Sequence, residues 1–133
     1  MTPRLVKTVL YTDAQGFARF REEAIDLPQG TEAARLSAES PVHALQWRQS
    51  PPGFQSEWHC TAAPQWTFIL AGKMEIGLRD GSSRVFSPGE FFYSSDTLPL
   101  GVPFNPEVHG HKSRQVGDEA LVTLFVRGAA GDN

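Results

Sequence analysis

The sequence predicts an all-β protein, a single antiparallel barrel preceded by an N-terminal hairpin, and three observations carry that prediction. Short segments alternate apolar and polar residues. Turn residues interrupt them about every ten positions, as in sandwiches and barrels. Nowhere does an apolar stripe persist at helical spacing.

The elements follow in order. Residues 4–11 alternate through Leu5, Lys7, Val9 and Tyr11, turn at 13–16 and return from Phe17 to Arg21, the two arms of a hairpin. Residues 28–42 mix Pro, Gly, Ser and Ala and read as an irregular connection with at most a helical turn or two. A strand from Val42 to Trp47 ends before SerProProGly at 50–53, because consecutive prolines remove two ladder donors. Beyond it, 57–61 and 65–70 read as strands separated by AlaAlaPro at 62–64. Then come 73–78, a turn at ArgAspGly, ArgValPhe at 84–86, a ProGly turn at 88–89, 90–93, and a last strand at 120–126. The whole reads as one domain, 1–133, with its barrel core at about 42–127.

Composition narrows the partners. Twelve Lys and Arg against 15 Asp and Glu give a net charge of -3, and no basic block of the kind that neutralises phosphates is present, so nucleic acid is not an expected partner. Cys60 is the one cysteine, which leaves no intrachain disulfide and no cysteine-based zinc site. No apolar run reaches signal-peptide length near the N-terminus or the roughly 18 residues of a membrane span, so a cytoplasmic protein with no membrane association is expected.

Residues 53–72, GFQSEWHCTAAPQWTFILAG, hold the chemistry. Strand parity puts Glu57, His59 and Thr61 on one face, with Trp58 and Cys60 opposite. In the next strand Gln65, Thr67 and Ile69 share a mostly polar face, and Trp66, Phe68 and Leu70 an apolar one. The apolar face reads as core or as a contact with a second subunit, and a homodimer is expected.

These residues resemble the cupin superfamily. Gly53, His59, Gln65 and Gly72 fall on the glycine, first histidine, glutamate and last glycine of its first motif, with Thr61 in place of the second histidine and Gln65 in place of the glutamate. SerProGlyGlu at 87–90 looks like the turn that opens the second motif, whose histidine is His109 or His111. The chain is also similar to small bacterial cupins with a TrpHis…ProXxxGln first motif (Trp58, His59, Pro64, Gln65). Their second motif is matched by Asp96, Thr97, Gly110, His111, Ser113 and Arg114.

The resemblance implies a jelly-roll barrel that holds a small organic molecule. It also implies a divalent iron, manganese, nickel or zinc ion on three histidines and a carboxylate. The candidate ligands are His59, His111, Gln65 and His109, with Glu57 or Tyr93 handling a proton. A metal-dependent dioxygenase- or isomerase-like enzyme is one expectation. A metal-free ligand-binding or structural cupin is the other, because Thr61 and Gln65 supply no charge. Residues 96–110 form a proline-rich apolar loop that leads into HisGlyHis and is expected to cover the barrel mouth or a partner.

Overall fold

The computed structural model describes residues 4–128; the ends of the 1–133 unit, 1–3 and 129–133, lie outside the described residues. Eleven strands and no helix make up the described chain. They are β1 (Arg4–Thr12), β2 (Ala18–Asp26), β3 (Gln29–Thr31), β4 (Ala34–Leu36), β5 (Val42–Ser50) and β6 (Gln65–Ala71). The others are β7 (Lys73–Gly77), β8 (Ser83–Phe86), β9 (Phe91–Ser95), β10 (Lys112–Val116) and β11 (Leu121–Gly128).

A six-stranded sheet in the order β2-β1-β9-β6-β11-β5 faces a three-stranded sheet, β10-β7-β8, and β3 and β4 form a separate small hairpin. The jelly-roll layers are therefore two open, facing sheets. The N-terminal hairpin is present as expected, β1 pairing β2 from Arg4↔Asp26 to Thr12↔Ala18. It joins the large sheet through a parallel pairing of β1 with β9, the one departure from antiparallel order among the described strands.

The core lies between the sheets. Leu10 and Ala18 of the hairpin, Ile69, Phe92 and Leu121 of the large sheet meet Met74, Ile76 and Phe86 of the small one. The hairpin thus contributes to the core that the sequence placed in 42–127. On β6 the faces divide as parity predicts: Thr67 and Ile69 are buried against the small sheet, while Trp66, Phe68 and Leu70 look outward. Outside, Trp66 packs on Tyr93 (5.0 Å between centroids) and on Lys7, whose Nζ lies 5.1 Å from its ring. The β3–β4 hairpin replaces part of the irregular connection expected at 28–42, and β10 lies in a stretch for which the sequence reading named no strand.

Candidate functional site

At one end of the sandwich the inner faces of β6, β9, β11 and β5 leave a cavity of about 220 Å³. His59, Thr61, Gln65, Ser94, His111 and Arg48 line its polar side, and Phe92, Phe125, Met74 and Ile76 its apolar side. Gln65, at the start of β6, is in register with Ser94 of β9 and Arg127 of β11, which sets the three side by side on the inner face.

The histidines arrive differently. Residues 51–64 form no regular strand, since Pro51, Pro52 and Pro64 interrupt any ladder. Instead, His59 pairs with His111 through one isolated antiparallel bridge, with N–H···O bonds of 3.0 and 2.9 Å in the two directions. The ring centroids are 4.7 Å apart.

Both Nδ1 atoms are engaged. His59 Nδ1 donates to the Glu57 carbonyl at 2.8 Å, and His111 Nδ1 to the Asp96 carboxylate at 2.7 Å. A ring whose Nδ1–H is fixed in this way offers its Nε2 as the acceptor or ligand atom. Asp96 is buried and also accepts from Thr12 Oγ1 at 2.6 Å, so one carboxylate ties β1, the end of β9 and the histidine bridge together.

His59 sits at the mouth, partly open to solvent. The crowding of protein around its ring is still the largest influence on it and holds its pKa below the ordinary 6.5. The Glu57 carbonyl opposes this, and His111 and Arg48 push the same way as burial. His59 is therefore neutral at pH 7, with Nε2 unprotonated. Burial also pushes the Cys60 thiol up to about 11, which removes it as a nucleophile at neutral pH.

The structure brings His59, His111 and Gln65 to one cavity and leaves the other sequence candidates elsewhere. His109 is a correction: it lies on the 96–110 loop, its Nδ1 accepting from Asn105 N–H at 2.9 Å and its ring against Phe104, where it fixes the loop. Glu57 is exposed and serves through its carbonyl, because the parity that faced its carboxylate inward needs a continuous strand. Tyr93 is buried on the outer face beside Trp66, opposite its neighbour Ser94, which lines the cavity. Arg114 pairs with Glu75 on the exposed side of β10.

The loop does stand at the mouth: Leu98 and Phe104 line an outer space of about 450 Å³ with Trp58, His59 and Thr61. Arg79 braces it, stacked 3.9 Å from the Trp58 ring and donating to the His109 carbonyl at 2.9 Å. Sequence reasoning missed Arg48 and the work of Asp96. The AspThr pair was visible as a motif element, whereas nothing in the alternation of β5 marked Arg48 as inward and unpaired.

The first-motif residues His59 and Gln65 thus converge with the second-motif His111 in a cavity between two jelly-roll sheets. The described chain is a sandwich of two β-sheets with these residues between them. No protein-family profile and no curated protein matches the sequence. Among solved structures, the chain is similar to the DMSP lyase DddQ from Ruegeria pomeroyi DSS-3, at 22% identity and a TM-score of 0.47. That match covers 71% of this chain and 42% of the lyase chain, so the present chain spans less than half the lyase's length. It is also similar to the Cnp3 cupin domain of Schizosaccharomyces pombe, at 16% identity and a TM-score of 0.45, covering 97% of this chain and 86% of that one. No helix of the described residues is long and apolar enough to cross a membrane.

Proposed function

We propose that this chain is a cupin that binds a small organic molecule in the cavity between its sheets, with His59 and His111 as the polar groups that fix it. The observation that carries this reading is the histidine pair itself: both Nδ1 atoms are held by protein acceptors, which leaves both Nε2 atoms to a ligand. The same arrangement is one that a general base uses, since the Asp96 carboxylate fixes the orientation and tautomer of the His111 ring.

The test is titration of isotope-labelled protein with a library of small organic molecules, followed by backbone amide shifts. Binders should move the amides of His59, Gln65, Ser94 and His111. Binders that move only outer-face amides would overturn the reading.

The donor set does not fit a tightly held divalent ion. No three His, Cys, Asp or Glu side chains converge among the described residues. Thr61 is neutral and hydrogen-bonded to Ser94 at 2.6 Å, Gln65 is neutral, and Asp96 is committed to Thr12 and to His111 Nδ1. The Arg48 guanidinium lines the same space and repels a cation. Replacing Gln65 with Glu supplies the missing charge and makes a two-histidine, one-carboxylate set. That variant is expected to bind zinc or nickel at least ten-fold more tightly than the wild type, measured by calorimetric titration. Equal affinities would show that the wild-type cavity is already a metal site.

We further propose a homodimer. Leu45 and Trp47 of the edge strand β5 and Leu70 of β6 share the outer face of the large sheet, and Trp47 is 65% exposed. A two-fold axis would cover this strip and the open edge together. Sedimentation at micromolar concentration should give a dimer that Trp47→Glu converts to a monomer; a wild-type monomer would contradict it.

A further inference from the structure

The Arg48 side chain has no hydrogen-bond or ion-pair partner among the described residues. It stands on β5 with Thr123 as its neighbour in register on β11, both pointing between the sheets. Its Nε and Nη2, the two nitrogens of one edge of the fork, are sealed from solvent and make no hydrogen bond, and Thr123 Oγ1 beside it is equally sealed and unbonded. The guanidinium has no ion pair among the described residues and is held over Phe125 and Phe54, 4.9 and 5.5 Å from the ring centroids.

Arg48 is half-buried, and sealed polar atoms without a hydrogen bond are rare enough in native proteins to call for a partner. Burial alone already pushes the Arg48 pKa down. The cavity against which Arg48 lies is lined by a second arginine, Arg127, and two histidines, and by no Asp or Glu.

We infer that the cavity's ligand is a small organic carboxylate, bound with its charged end at Arg48 and its apolar part against Phe92, Phe125 and Met74. The inference rests on the small-molecule reading above and adds the ligand's class. Arginine suits this role because its planar fork matches a carboxylate. At about 220 Å³ the space falls below the roughly 300–1,000 Å³ of drug-sized pockets, so the acid is small. The His59 and His111 Nε2 atoms then meet the ligand at the other end of the polar wall.

The test is calorimetric titration of the full chain with benzoate and hexanoate and with their neutral counterparts, benzamide and hexanamide. The carboxylates are expected to bind at least ten-fold more tightly than the amides. Arg48→Met should lose that ten-fold while its melting temperature holds or rises, since an unpaired, half-buried charge has been removed. Arg48→Lys, which keeps a charge without the fork, should fall between. Equal binding of acids and amides, or benzoate binding untouched by both variants, would overturn the carboxylate inference and leave the small-molecule reading intact. If neither pair binds while a neutral compound shifts the cavity amides, the carboxylate inference alone is overturned. The lack of any cavity binder would overturn the underlying reading as well.

Discussion

Asp96→Ala is expected to destabilise the protein by about 2–6 kcal/mol, because two buried donors lose their acceptor at roughly 1–3 kcal/mol each. Asp96 is 1% exposed, and its carboxylate takes hydrogen bonds from Thr12 Oγ1 at 2.6 Å and His111 Nδ1 at 2.7 Å. Its carbonyl also accepts from Thr61 N–H at 2.9 Å, but the alanine variant keeps that bond, so the loss reads the side chain alone. Alanine leaves a hydroxyl and an imidazole N–H buried without acceptors. Asp96→Asn keeps one oxygen and should cost less, about 1–2 kcal/mol, because one of the two bonds survives. Urea denaturation of the three proteins measures both differences. A second readout is specific to the site: without Asp96 the His111 proton is free to move to Nε2, and the nitrogen shifts of the ring report that change of tautomer. A loss under 1 kcal/mol with the tautomer unchanged would show that Asp96 does not hold the histidine.

The same pair marks the limit of what the sequence discloses. Alternation located β1, β2, β5, β6, β7, β8, β9 and β11, because each lies in a sheet with one buried and one outer face, the condition under which period-2 patterning is written into a chain. It also separated Thr67 and Ile69 from Trp66 and Phe68 but left the apolar face as either core or subunit contact; the structure turns Thr67 and Ile69 inward. Parity failed at Glu57 because residues 51–64 pair with the sheets through isolated bridges, Gln55↔Arg114 and His59↔His111, and a segment without a ladder carries no fixed alternation. The parallel pairing of β1 with β9 was also hidden, since it joins residues some 80 positions apart and leaves no local trace. The motif spacing brought His59, Gln65 and His111 to one cavity. The positions of Asp96 and Arg48 emerge only from packing. An aspartate and an arginine on a polar chain are ordinary surface residues until a second sheet covers them.

Gly110→Ala is expected to be the most damaging small substitution at the site. Gly110 has φ +92, and a Cβ there would lie 2.6 Å from the His59 carbonyl oxygen and 2.8 and 2.9 Å from its C and N. All three are backbone atoms, so no side chain can swing away; the segment carrying His59 must move. The left-handed backbone costs roughly 1–3 kcal/mol and overpacking a similar amount, for a total of roughly 2–6 kcal/mol. Gly89, in the ProGly turn before β9, separates the two contributions: its φ is +90, yet an added Cβ meets nothing within 4 Å. Gly89→Ala should therefore pay the backbone cost alone, and the difference between the two variants in urea denaturation is the steric cost at the bridge. Because Gly110 lies between His109 and His111, pushing His59 away also parts rings that stand 4.7 Å apart and breaks the paired N–H···O bonds between them. The Gly110 variant should then lose ligand-induced shifts at His59 and His111, whereas the Gly89 variant keeps them. Equal destabilisation and equal binding would mean that the close approach of the two backbones does not hold the histidine pair in place.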